Sequence, residues 1–174
     1  MKLSIRATLI SLIVLVAVGA AVNQFTGSAF FGSQIARGGQ KSVTLVIDFG
    51  PNSGRPTVVK KIDLMPADTT GWGVFAKAGI SIQGTDEYPT GFVCRIDGWP
   101  TVAMQNCEST PLSTQGHWAY FVTNTKFGAG WLLSGQGAAM HKPDCGSFEG
   151  WRWVSPADDS SSQPRVAPAL KSCH

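Results

Sequence analysis

Residues 43–79 read VTLVIDFGPNSGRPTVVKKIDLMPADTTGWGVFAKAG. In the first eight, Val43, Leu45, Ile47 and Phe49 alternate on one side with Thr44 and Asp48 on the other, the period of a half-buried strand. Pro51, Asn52, Gly54 and Pro56 supply turn chemistry. TVVKKIDLM follows as a second strand, so the two predict a hairpin. Asp68, Thr69 and Thr70 then offer N-cap side chains, Val74, Phe75 and Ala78 share one face at helical spacing, and Gly79 stands where a stop belongs. Gly71 and Gly73 weaken this helix, since each costs up to about 1 kcal/mol relative to alanine in a helix interior.

Beyond the helix come ISIQGT, GFVCRIDG, HWAYFVTN, GWLLSG and EGWRWV. All are short, rich in aromatic or β-branched residues, and separated by Gly, Pro and polar residues, which marks them as strands. In HWAYFVTN, Trp118, Tyr120 and Val122 fall on one face and His117, Ala119 and Phe121 on the other. In EGWRWV, Trp151 and Trp153 point one way and Arg152 the other. A hairpin, one helix and then several strands make a mixed sheet packed on one helix, an α+β domain of the β-grasp kind. That domain spans residues 42–154.

The flanks read differently. Lys2 and Arg6 precede an uncharged run, Ala7 to Val22, that ends in small residues at Gly19, Ala20 and Ala21. This is the layout of a secretory signal peptide. The alternative is an uncleaved membrane anchor, for which a run of this length is short against the roughly 20 residues a spanning helix needs. Residues 1–22 are thus a signal or anchor helix, and only residues 7–22 would touch a membrane. Residues 23–41 are Gly, Ser and Gln rich and read as a flexible linker. Residues 155–174, rich in Ser, Pro and Ala, read as a disordered or loosely held tail. The expected location is secreted, or the outer face of the cell membrane.

Of the 14 Lys and Arg residues, two lie in the first 20 positions; without them 12 stand against 11 acids, a net charge of +1. A domain so nearly neutral lacks the clustered cations that phosphate contacts need, which disfavours nucleic acid as a partner. The adjacent pair Lys60-Lys61 reads equally well as protection of an exposed strand edge. Four cysteines, Cys94, Cys107, Cys145 and Cys173, predict two disulfides in an exported chain, with three connectivities open. Cys94–Cys107 is favoured because a polar loop after GFVCRIDG returns the chain to that strand, and Cys145–Cys173 would then secure the tail. No two cysteines have the close spacing of zinc ligands, and His117, His141 and His174 have no ligand spacing either, so no metal site is expected.

The path through TGWGVFAKAGISIQGT, Ile96-Asp97-Gly98, His117-Trp118-Ala119-Tyr120 and Gly146 to Trp153 resembles a group of small secreted bacterial domains related to the transcobalamin C-terminal-like family. Order and spacing over residues 43–154 carry the resemblance, rather than any single short motif. It implies a β-grasp-like fold and a non-catalytic role, in some members the binding of a corrinoid or another ligand at the cell surface. No distinctive cobalamin-contacting motif occurs here, so the corrinoid rests on the resemblance alone, and no cofactor is otherwise expected.

Six tryptophans are many for a domain of this size. A thin sheet on one helix uses large side chains to build its core, and most of the six read as core. One layer covers only one face of a sheet, however, and amphipathic aromatics suit sugar rings and flat ligands. Trp99 in the loop-like GWPT is the foremost exposed candidate, and Trp131, Trp118 and Tyr120 are the others. Arg95 and Arg152 alternate with apolar neighbours and would snorkel from a sheet face; either could instead hold a ligand carboxylate, and Arg152 is counted among the candidate binding residues. Cysteine catalysis through Cys94 and His117 is disfavoured by the expected disulfide, no G-x-S-x-G occurs, and Asp86-Glu87 and Asp158-Asp159 read as solvated charge. Gly135-Gln136-Gly137 lacks the strand-to-helix context of a phosphate cradle. The reading is a non-catalytic binding module for a small molecule, an envelope glycan or a partner protein. The alternatives are a structural or interaction protein of the cell envelope and, more distantly, an extracellular hydrolase.

Overall fold

The computed structural model describes residues 39–112, 114–123, 130–159, 161–169 and 173. The expected signal or anchor and nearly all of the expected linker lie outside the described residues. Among those described, no helix is long and apolar enough to cross a membrane.

The fold is mixed α+β, mostly sheet with one short helix. The elements are β1 (Gln40–Asp48), β2 (Val58–Pro66), α1 (Gly71–Ala78), β3 (Ile82–Gly84), β4 (Val93–Ile96), β5 (His117–Val122), β6 (Leu132–Leu133) and β7 (Ser147–Val154). Five strands form the main sheet in the order β2-β1-β7-β5-β6, and β3 and β4 pair as a separate two-stranded sheet. β1 and β2 are the expected antiparallel hairpin, with Ile47 opposite Val58 and Val43 opposite Ile62. β1 and β7 are parallel, Val43 facing Ser147 and Asp48 facing Arg152. β5 is antiparallel to both β7 and β6.

The helix forms where its caps and period place it. Thr70 accepts the Gly73 N–H on Oγ1 at 3.2 Å, and Gly79 ends the helix in the left-handed conformation at φ 66°. Val74, Phe75 and Ala78 are buried against the sheet beside Leu45, Ile47, Trp118, Tyr120 and Trp151. Beyond α1 the chain turns back, and Lys60 from the edge strand β2 donates to the Ala78 carbonyl at 2.5 Å. One of the two edge lysines therefore caps the last turn of the helix.

The expectations for β1 and for the tail fail for one reason: the second face of the sheet is covered. β1 is not half-buried, since Val46 and Asp48 are as inaccessible as Leu45 and Ile47. Nor is the tail loose over its described residues. Arg165 donates to the Asp48 carboxylate from its backbone N–H at 2.9 Å and from Nη2 at 2.7 Å. Val166 packs on a second apolar cluster of Val46, Ala119, Phe121, Trp131, Phe148 and Val154. The linker boundary also moves, because Gln40 and Lys41 already belong to β1.

Both disulfides are as read. Cys94–Cys107 has its Cα atoms 5.7 Å apart, and Cys145–Cys173 has them 5.3 Å apart. Arg95 reinforces the first: it donates to the carbonyls of Pro100 (2.8 Å) and Gln105, and to Cys107 Sγ at 2.7 Å. It is buried rather than snorkelling, and it anchors the loop that the disulfide closes.

Candidate functional site

The candidate site is a cavity of about 270 Å³ on the helix side of the sheet. Its floor is Trp118 and Tyr120 of β5 with Trp151 of β7, all on the face that the two-residue period of each strand assigns to them. Trp72, the second residue of α1, closes one side; Thr90–Val93 and Ser134–Ala138 supply the others. Among the described residues, no Asp, Glu, Lys, Arg or His is in the lining. The polar groups there are neutral: the side chains of Thr90, Ser134 and Gln136, the Tyr120 hydroxyl and the backbone at Gly91, Gly135 and Gly137.

The 134–141 loop is tied down from both ends. The Ser134 N–H donates to the Tyr120 carbonyl at 2.8 Å, and the Ser134 hydroxyl donates to the Gln136 carbonyl at 2.7 Å. At the other end, the N–H groups of Gly71 and Trp72 donate to the carbonyls of His141 and Ala138, both at 2.9 Å. These are donors that a helix leaves unpaired at its start. Here the loop takes them, so the helix N-terminus is occupied by the protein itself.

A polar group lies behind this wall. Glu149, on β7 two residues before Trp151, is fully buried. Tyr120 donates its hydroxyl to Glu149 Oε2. His141 Nε2 stands 3.4 Å from Glu149 Oε1, long for a hydrogen bond, so the contact is chiefly electrostatic. Burial pushes the Glu149 carboxyl above the usual carboxylate range, despite opposing help from His141, Tyr120 and Lys41. Contact with Glu149 raises the His141 imidazole, with burial opposing. Burial, then the Glu149 charge, drives the Tyr120 phenol far up, so it remains a donor.

The five candidate binding residues do not converge. Trp118 and Tyr120 share the cavity floor, with Tyr120 stacked on Trp151 at 4.5 Å between ring centres. Trp99 is half-buried rather than freely exposed; its carbonyl accepts the Trp118 indole N–H at 3.2 Å, and its ring lines a separate hollow of about 130 Å³ with Phe49, Met104 and Trp153. Trp131 lies on the opposite face of the sheet, buried over Gly150 and donating Nε1 to the Val166 carbonyl at 2.9 Å. Arg152 is on that opposite face too. It does not snorkel: it is 4% exposed and pairs with Asp48 at 3.2 Å. Cys94, the nucleophile of the disfavoured catalytic reading, is bridged to Cys107.

Sequence reasoning missed Trp72 as a wall and Glu149 altogether. The only signal for Glu149 was an acid two positions from Trp151 on a strand face otherwise aromatic, which the period of two puts toward the core.

The chain matches no protein-family model, and comparison with curated proteins finds no match. The likeness to transcobalamin-type domains therefore rests on the motifs alone. The cavity, about 270 Å³, is just under the range usual for drug-sized ligands, so a large macrocycle such as a corrinoid could place only an edge in it.

Proposed function

We propose that this chain is a non-catalytic binding module that works outside the cytoplasm and takes a small neutral molecule, or one uncharged ring of a larger one, into the cavity over Trp118, Tyr120 and Trp151. The observation that carries this is the lining, which among the described residues holds five aromatic side chains with neutral polar groups and no charge. An ionic ligand enclosed there would lose its hydration without gaining a counter-charge. A neutral ring loses little and gains aromatic contact on several sides, with Thr90, Ser134 and Gln136 to orient it.

Two disulfides favour an oxidising compartment, in keeping with the export layout of residues 1–22. The strand order supports a β-grasp reading of the fold. With the β3–β4 pair set aside, a hairpin is followed by the helix, and the first and last strands of the main sheet lie parallel at its centre. That likeness, with the motifs, is the basis for a relation to transcobalamin-type domains and for a role without catalysis.

A thermal-shift screen of the oxidised full chain tests the function, with uncharged sugars, neutral aromatic heterocycles and corrinoids as the panel. A ligand at about 100 times its dissociation constant stabilises by about 2.7 kcal/mol, several degrees for a domain of this size. Gly135→Trp is the matched control. A side chain at Gly135 would meet nothing within 4 Å, and the position does not need a positive φ, so indole can enter the cavity mouth without unfolding the protein. A saturable shift from a neutral ring compound that Gly135→Trp abolishes is the expected result. No shift across the panel, or an equal shift in both proteins, would refute the site and point instead to a protein partner.

A further inference from the structure

Glu149 is absent from the cavity lining yet touches two of the groups that shape it. Through Tyr120 it contacts the floor, and through His141 it contacts the end of the loop whose residues 134–138 make the outer wall. The same loop end is bonded to the start of α1, which carries Trp72. Gly71 leaves the space for this arrangement, since a Cβ there would lie 3.0 Å from Glu149 Oε2 and closer still to the Tyr120 hydroxyl. A buried carboxylate is costly unless paired and hydrogen-bonded, and an apolar side chain would fill this strand position without that cost. The pairing of Glu149 with exactly the two walls is what its presence accomplishes.

We infer that Glu149 is a positioning residue that holds the Tyr120 floor and the 134–141 wall together, through its hydrogen bond to Tyr120 and its charge opposite His141, so that how far the cavity opens follows the charge state of the Glu149–His141 pair. That the opening controls a ligand rests on the reading of the cavity as a binding site.

The charged surroundings set the direction. Lys41 of β1 lies nearby, its Nζ donating to the carbonyls of Thr69 at 2.7 Å and Pro143 at 2.8 Å. Asp68 before α1 and Lys142 and Asp144 on the loop are the other charges around Lys41, and Asp144 and Lys41 also act on His141. With the proton on His141, imidazolium and carboxylate attract each other across the wall. When rising pH removes it, the buried carboxylate faces a neutral imidazole, with Lys41 as the remaining cation. The attraction that draws the loop inward then falls, and the wall loosens. Because His141 titrates above 6.5, this belongs to the neutral-to-alkaline range.

Acrylamide, a neutral quencher that must touch an indole, reads the opening through Trp72, Trp118 and Trp151, over a contribution from Trp99, Trp131 and Trp153 that the variants leave unchanged. The oxidised full chain would be compared with Glu149→Gln, which keeps an acceptor for Tyr120 but no charge. His141→Gln, at a partly exposed position, is the variant that folds if burial at 149 proves unforgiving. The expected result is a quenching constant that rises about twofold from about pH 6 to about pH 9 in the parent and stays level in both variants. An unchanging constant in the parent, or the same rise in all three proteins, would overturn the inference. The neutral-ligand screen on the same proteins separates the two readings. PH-dependent quenching with no ligand shift would refute the binding site and leave the role of Glu149 standing; a ligand shift with level quenching in the parent would do the reverse.

Discussion

At Gly71 a missing side chain decides what its neighbours can do. A Cβ there would come within 3.2 Å of Tyr120 Cζ and 3.0 Å of Glu149 Oε2. Alanine ordinarily favours a helix over glycine by up to about 1 kcal/mol. At Gly71 the sign should reverse, with Gly71→Ala destabilising by about 1–3 kcal/mol as overpacking does. Urea unfolding gives the answer, and a midpoint equal to or above the parent's would refute the contact. On the other face Asp48 occupies a comparable position. Its carboxylate serves the Gly50 N–H, Arg152 and Arg165. Removing that charge leaves Arg152, among the described residues, beside the more distant Asp158 at 3.6 Å. Asp48→Asn is expected to cost about 3 kcal/mol or more and to expose the 155–169 segment to limited proteolysis. A protease pattern like the parent's would mean that Val166 and the disulfide hold the tail without Asp48.

At the scale of elements, α1 is short enough to depend on its ends. Isolated helices of this length are marginal in water, and this one is stabilised by its buried face, the Thr70 cap, Lys60 at its C-terminus and the loop carbonyls at its start. Thr70→Ala should cost about 1 kcal/mol, visible as a lower urea midpoint, and because α1 carries Trp72 it should also weaken any ligand shift. A loss in ligand response without a loss in stability would contradict this order of cause. The loop between β4 and β5 is held by two means, the Cys94–Cys107 bridge over 13 positions and the buried Arg95 guanidinium. Replacing both cysteines by alanine should cost about 3 kcal/mol on the chain-entropy estimate. Non-reducing peptide mapping checks the pairing itself: recovery of Cys94 free, or joined to Cys145 or Cys173, would disprove it.

For the whole molecule, the two faces of the sheet titrate in opposite senses. On the tail side, burial alone would raise the Asp48 carboxyl, but Arg165, the Gly50 N–H and Arg152 outweigh it and hold it low. Its contribution is therefore present above 3.8 and lost as pH falls through the lowered value. On the helix side Glu149 and His141 are both raised from 4.5 and 6.5. The folded protein then binds more protons than the unfolded chain above those values, and stability falls as pH rises through the raised ones. His117, lowered by burial, works against His141 near 6.5. Melting temperatures from about pH 4 to about pH 9 should thus peak on the mildly acidic side, and Glu149→Gln should flatten the alkaline decline. An identical alkaline slope in parent and variant would exclude the Glu149–His141 pair as its source.

How much was legible beforehand follows from the range over which each signal acts. The β1–β2 hairpin, the buried triad Val74, Phe75 and Ala78, an N-cap among Asp68, Thr69 and Thr70, the Gly79 stop and the in-out order of β5 all come from periods and turn residues a few positions apart. The Cys94–Cys107 pair was likewise readable, because its loop is short. The site was legible only in part. Trp118 and Tyr120 were singled out, yet Trp99, Trp131 and Arg152 went with them to other faces, while Trp72 and Glu149 were passed over. A strand's period says which residues share a face but not what will cover it.

By itself, then, the sequence determined the local elements and the α+β character, because hydrogen bonding along a helix and alternation along a strand are short-range. Only the tertiary structure decided that β7 would enter beside β1, more than a hundred positions away, that the tail would close the second face through Arg165 and Asp48, and that Glu149 would meet Tyr120 and His141. Those choices depend on burying both faces of one central strand pair and on neutralising the charges trapped there, and both are properties of the assembled packing.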